Sequence, residues 1–198
     1  MPYARKYDIM RYSMTYKMKI YQKRTGEAEH MDMEKRNIMI PKRSYELFHR
    51  LATDPAVQSM SQYNAHKNTN TLQHSINVTI GACWLAVKFR LSEEHIENAV
   101  MAGMLHDFYL YDYHGRRVTR DGWHAWRHPK IALQNAASIP GIAISKRAGN
   151  AIRSHMFPGT LFHMPLYAEA WLVSLSDKIC ATCELLGLKG FNGYTLTA

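Results

Sequence analysis

From Pro41 onward, apolar residues recur every three or four positions, the spacing of one face of an α-helix. In KRSYELFHRLA, Tyr45, Phe48 and Leu51 share a face, and DPAVQSM opens a short helix with Pro55 near its first turn. The stretch TLQHSINVTIGACWLAVKFRL repeats Leu72, Ile76, Ile80, Cys83 and Val87, which predicts a long core helix. LSEEHIENAVMAGMLHD predicts another, with Ser92 as N-cap and Glu93 and Glu94 at the positive helix end. Further helices are expected at HPKIALQNAASI, at SKRAGNAIRSHMF after the Pro140–Gly141 break, and at PLYAEAWLVSLSDKICATCELLG. No alternating strand pattern stands out after residue 40, and no segment repeats. The expected fold class is all-α, a helical bundle.

Two regions break the pattern. Residues 1–40 mix Tyr, Met, Lys and Arg around an RTGE turn. They are expected to form a basic, irregular N-terminal extension, with a partial strand pattern in MTYKMKIYQK, ahead of a helical domain at 41–198. The second region, FYLYDYHGRRVTRDGWHAWR from Phe108 to Arg127, is aromatic and polar and is expected to be a loop. A loop of that length inside a bundle is usually functional.

Composition narrows the class. At 198 residues, with 46% hydrophobic and 21% charged residues, the chain suits one globular domain. A formal net charge of +9 suits anionic ligands of any kind, nucleotides and phosphate esters included. Three cysteines make no disulfide framework, no apolar stretch follows the first basic residues, and IGACWLAV is too short to span a bilayer. A cytoplasmic protein without a membrane partner is expected. There is no Walker phosphate loop and no Gly-x-Ser-x-Gly elbow. Cys180 and Cys183, one turn apart inside a continuing helix, read as small core residues rather than a redox pair.

The 11 histidines are more than a core needs. His74 lies in the long helix, His106 and Asp107 end the next, His128 opens one, His155 closes one, and Asp177 lies within the last. Each is flanked by core-type residues, and a helix bundle can aim such side chains at one point to hold a metal. Imidazole with carboxylate suits Fe, Mn, Zn, Co or Ni better than Ca or Mg alone.

The order His…His-Asp…Asp, in LQHSINV, GMLHDFYLYD and SLSDKICA, resembles the HD superfamily of metal-dependent phosphohydrolases over roughly residues 61–187. The two intervening histidines, in RHPKIALQNA and RSHMFPG, resemble the expanded His…His-Asp…His…His…Asp pattern of HD subgroups that hold two metals, including a set of bacterial HD-domain proteins. This resemblance implies one or two divalent transition metals, with Mg as a further candidate. His74, His106, Asp107 and Asp177 would hold the first ion; His128, His155 and a bridging Asp107 would hold the second.

The implied function is hydrolysis of a phosphate ester, a nucleotide or small phosphorylated metabolite. Metal ions neutralise phosphoryl oxygens and lower the pKa of a bound water to about 7, giving a nucleophile at neutral pH. Asp107 and Asp177 would hold metal and help orient that water. Lys178 could bring positive charge to the phosphoryl group, although helical geometry turns it about 100° from Asp177, so a lysine that supports the ligands from behind, or an ordinary surface lysine, is an equal reading.

Several neighbours stay open. His163, in LFHMP, rivals His155. His66 and Asn68 could face substrate or cap a polar loop. Arg116, Arg117, Arg120, Arg127, Lys130 and Arg153 give a positive setting, or are simply exposed. Tyr109, Tyr111, Tyr113, Trp123 and Trp126 could stack on a base or pack as core and lid. Two rival functions use the same residues: a di-iron HD-type oxygenase, and a nucleic-acid- or ligand-binding module with a non-catalytic metal, in which the N-terminal extension would do the binding.

Overall fold

Asn70 starts the central helix, its side chain accepting the Gln73 N–H at 2.9 Å. In the computed structural model, which describes residues 36–66, 69–112, 118–119 and 122–198, the chain is all-α with three short two-stranded pairings. Strand β1 (Arg36–Met39) leads into α1 (Lys42–Thr53) and α2 (Pro55–Gln58), then a 3₁₀ turn (Ser59–Gln62) and the pair β2 (Asn64–His66) and β3 (Thr69–Asn70). Next come α3 (Thr71–Lys88), α4 (Glu93–Leu105), the pair β4 (Val118–Thr119) and β5 (Gly122–Trp123), and α5 (His124–Ala137). The chain finishes with α6 (Lys146–Ser154), α7 (Ala168–Leu186) and β6 (Tyr194–Thr197).

Helix α3 packs against α4 and α7, while α4 also meets α1, α6 and α7, and α6 lies against α5 and α7. The burial of α3 is nearly all round, because small residues such as Ser75, Gly81 and Ala82 let neighbours approach. At the α3–α4 crossing, a Cβ on Gly103 would lie 2.7 Å from Thr79 Oγ1 and 2.8 Å from Thr79 Cα. Only glycine permits that spacing. Between α6 and α7, the fully buried Glu169 is held by Arg147, with Nε at 2.6 Å and Nη2 at 3.1 Å. A buried carboxylate costs several kcal/mol unless paired in this way. Helix α7 stops at Gly187, whose φ of +71° suits glycine, with the Leu188 N–H bonding the Cys183 carbonyl at 2.8 Å.

The structure departs from the sequence reading in three places. Strands exist after residue 40, and β6 pairs in parallel with β1, Ile38 opposite Leu196, both buried. Four-residue strands with one buried position each are too short to show alternation. Ile38 and Ile40, from the stretch read as extension, therefore join the core. Second, α5 begins at His124 and carries Pro129 within it, so the loop after Phe108 is shorter than expected and His128 sits in the second turn rather than opening the helix. Third, Ser92 stands at the N-cap of α4, but its hydroxyl bonds the His95 ring at 2.7 Å instead of a helix N–H. The strand pattern expected in MTYKMKIYQK lies outside the described residues.

Candidate metal centre

The helices leave a set of polar side chains buried among apolar ones: His74, His106, His128, His155 and Asp177, with Asp107 beside them half-buried. Two of these histidines are C-caps. The last carbonyls of an α-helix have no partner within the helix. His106 ends α4 and its Nδ1 bonds the Gly103 carbonyl at 2.9 Å; His155 ends α6 and its Nδ1 bonds the Ile152 carbonyl at 2.8 Å. His128, inside α5, bonds the His124 carbonyl through Nδ1 at 2.9 Å. A carbonyl only accepts, so each Nδ1 carries the proton and each Nε2 presents a lone pair.

Those lone pairs converge. His128 Nε2 and His155 Nε2 lie 2.8 Å apart, and they stand 3.2 and 3.6 Å from Asp107 Oδ1. The other oxygen, Asp107 Oδ2, lies 3.6 Å from His106 Nε2 and 4.0 Å from His74 Nε2. Asp177 Oδ1 closes that side, 3.1 Å from His74 Nε2 and 3.8 Å from His106 Nε2. Among the described residues three groups of donor atoms are compact enough to hold an ion: His74/His106/Asp107 and Asp107/His128/His155, which share Asp107 and are the two triads of the centre, and His66/His74/Glu184 on the far side of His74. Ligands bonded at about 2.0–2.2 Å to one ion sit roughly 3 Å from one another. The Asp107/His128/His155 triad, at 2.8–3.6 Å, is close to this, and the 3.6 and 4.0 Å separations around Asp107 Oδ2 are wider.

The residues fit a metal on chemical grounds. His106 Nε2 and Asp107 Oδ1 are buried and have no hydrogen-bond partner among the described residues. Two imidazole lone pairs held 2.8 Å apart repel unless a cation or a proton lies between them. Acceptors without donors, gathered in a buried site, are what a cation satisfies.

The electrostatics divide the cluster. Burial and the neighbouring His128 and His106 push the His155 imidazole down to about 3, and burial lowers His106 as well. Burial also disfavours charge on His74, but the hydrogen bonds its ring donates to Asp177 and, from Nδ1 at 2.9 Å, to Glu184 outweigh it and raise that imidazole to about 10. Burial raises the Asp177 carboxyl less than His74 and the other imidazoles lower it, and it stays well below the usual carboxylate range. Burial raises the Asp107 carboxyl too, but the surrounding histidines, His106 first, together outweigh it and hold it well below the usual range.

All six residues expected as ligands thus come from α3, α4, α5, α6 and α7 to one place. Lys178 also reaches it: its long side chain turns back, and Nζ donates to the His155 carbonyl and, at 3.2 Å, to Asp177 Oδ2. His163 belongs to neither triad. His66, in β2, is half-buried and stands edge-on to the His74 ring at 5.1 Å. Tyr109 is buried edge-on to His124 and His128, and Tyr111 Oη lies 2.9 Å from His124 Nδ1, so these two aromatics do line this end of the site. Leu110 between them has a φ of +51°, uncommon for a residue with a branched side chain, and this turns the two tyrosines onto the cluster. Trp126 is exposed, Arg127 half-buried and Lys130 exposed. Asn68, Tyr113, Arg116, Arg117 and Arg120, and the Trp123 side chain, lie outside the described residues.

Sequence reasoning missed two participants. Glu184 sits seven residues beyond Asp177, about two turns along the same face of α7, which is the signal that could have found it. His124 is four residues before His128 and stacks on it, centroids 4.5 Å apart and planes at 18°. Cys180 is buried, with its thiol pushed up by burial, in keeping with a small core residue. Among the described residues no helix is long and apolar enough to cross a membrane.

Comparison with known proteins gives one match. The HD domain family matches residues 71–182, more than half of the chain, and the matched segment spans α3 to most of α7. No curated protein and no solved structure gave a match.

Proposed function

The chain belongs to the HD-domain family, a metal-dependent hydrolase type, and we propose that it is a phosphohydrolase acting on a phosphate ester, a nucleotide or small phosphorylated metabolite. The observation that carries this reading is the convergence of bare Nε2 atoms, on His106, His128 and His155, around the two oxygens of Asp107. In this reading His74, His106, Asp107 and Asp177 hold one divalent ion, and Asp107, His128 and His155 hold a second. An imidazole-rich donor set favours Fe, Mn, Zn, Co or Ni over Mg.

Bound ions would neutralise phosphoryl oxygens and bring the pKa of water to about 7. The chain's own residues do the rest. Asp107 directs one oxygen to each half and so sets the spacing between them. Asp177, kept ionised by its imidazole neighbours, holds His74 through Oδ1 and Lys178 through Oδ2. Lys178 is 39% exposed, so its ammonium borders both the ligand cluster and solvent, where an anionic group would arrive. Tyr109 and Tyr111 wall the His128 end, Tyr109 edge-on to His128 and Tyr111 bonded to His124.

The test is a panel of phosphomonoesters, phosphodiesters and nucleotides against Mn, Co, Ni, Fe and Mg. Metal-dependent turnover that Asp107→Ala removes supports the reading; absence of turnover with every metal sinks it. The same ligands would serve the alternative, a di-iron oxygenase. Aerobically purified protein with stoichiometric iron and an O₂-dependent spectrum would favour oxidation.

A further inference from the structure

One imidazole in the cluster is held differently from the others. His106, His128 and His155 lean on neutral backbone carbonyls through Nδ1. His74 instead has the Glu184 carboxylate on Nδ1, Oε2 at 2.9 Å, while its Nε2 faces Asp177. Glu184 is itself fixed. Its side chain is only 4% exposed, and Oε1 accepts from Asn77 Nδ2 at 3.2 Å. Asn77 Oδ1 in turn accepts from Gln73 Nε2 at 3.1 Å. Helix α7 therefore supplies a carboxylate to each ring nitrogen of one histidine on α3, and α3 supplies the amides that lock the second carboxylate.

We propose that Glu184 is the positioning residue of the half-site built on His74, His106 and Asp107. It fixes the proton of His74 on Nδ1, aims Nε2 at the ion position, and strengthens that nitrogen as a donor. A carboxylate behind a ligating imidazole raises its basicity, and loss of such a partner costs about 10–100-fold in metal affinity. The half-site on Asp107, His128 and His155 has no such anion behind its rings, only helix carbonyls. The two halves therefore differ in affinity because of a residue that stands behind His74, outside the donor atoms of both triads. This rests on the metal-centre reading above.

The experiment is titration of the metal-free full chain with cobalt(II), followed by d–d absorption and by chelator competition, with no substrate present. It compares the wild type with Glu184→Ala, Glu184→Gln and, to mark the other half, His128→Ala. The expected result is two equivalents for the wild type. In Glu184→Ala the tighter one weakens by about 10–100-fold, and the one lost in His128→Ala shifts by less than about threefold. Glu184→Gln keeps a neutral acceptor at Nδ1, so its loss is smaller but falls on the same equivalent. Equal weakening of both equivalents would mean that Glu184 only ties α3 to α7, and the inference fails. No weakening of either overturns it as well. A wild type that takes up no cobalt overturns the metal-centre reading itself, an outcome distinct from the other two. If the alanine variant does not fold, the glutamine variant decides on the same criterion.

Discussion

The two halves of the centre meet at Asp107 and draw their charge from different places. On one side His74 sits between two carboxylates and is raised to about 10; on the other, burial and the neighbouring imidazoles push His155 down to about 3. The residue type is the same, and the neighbours reverse its ionisation. On the first side one imidazole, His74, is anchored by a side chain and the other, His106, by backbone; on the second both are anchored by backbone, so different substitutions reach them.

Asp107 is the one residue common to both triads, so its loss has the largest expected effect. Asp107→Ala should leave metal content near zero and turnover at background, measured by elemental analysis and the phosphatase panel on the same preparation. Retention of one ion would show that the halves are independent, with Asp177 sufficient for the first.

The opposite ionisations should appear in the pH dependence of the metal-free protein. His155 titrates near 3 when folded and near its ordinary 6.5 when unfolded. Between those values the unfolded chain binds more protons, and stability falls as pH drops. His74 titrates near 10 when folded, so between 6.5 and 10 the folded chain binds more protons and stability falls as pH rises. Denaturant unfolding of chelator-treated protein should therefore show a maximum near pH 6.5, with each flank worth on the order of a few kcal/mol. Saturating metal takes the place of the proton on His74 Nε2 and should flatten the alkaline flank. A monotonic profile would mean that His74 and His155 do not differ in ionisation in this way.

Much of this is legible in the order of residues alone. The helices α1, α3, α4, α6 and α7 announce themselves by period, and His106, Asp107, His155 and Asp177 stand at ends or on faces of those periodic runs. What stays hidden depends on partners distant in sequence. Strands β1 and β6 pair across residues 36 and 194, and neither is long enough to signal alone. Glu184 looks like any helix-surface carboxylate until α7 lies on α3. Pro129 misleads locally: it reads as a first-turn proline, yet α5 carries it inside, and the extra turn from His124 lets the His124 carbonyl hold His128.

A smaller effect is expected where the backbone sets the geometry of the His74 half. Gly103→Ala puts a methyl group against Thr79 and must part α3 from α4. The overpacking costs about 1–3 kcal/mol, offset by up to about 1 kcal/mol of helix propensity. The net loss of stability is read by urea unfolding. Because Gly103 also supplies the carbonyl under His106, cobalt affinity should fall more for the equivalent that uses His74 and His106 than for the other.

The smallest effect sharpens the contrast most. His124 stacks on His128, but what orients His128 is the His124 carbonyl, which any substitution keeps. His124→Ala removes the ring, and with it the Tyr111 hydrogen bond, without unhooking Nδ1 of His128. A stacked pair contributes about 0.5–1.5 kcal/mol, so affinity at the Asp107/His128/His155 half should fall by no more than about tenfold. The His74 half should not change. A loss of about 100-fold would show that the ring, and not the carbonyl, aims His128, and the distinction between the halves would collapse. If the small effect holds, the two halves answer to different kinds of change. The first weakens when a partner side chain, Glu184, is removed. The second has its orienting groups in the backbone, so only the ligands themselves, or the helix ends that present those carbonyls, can disable it.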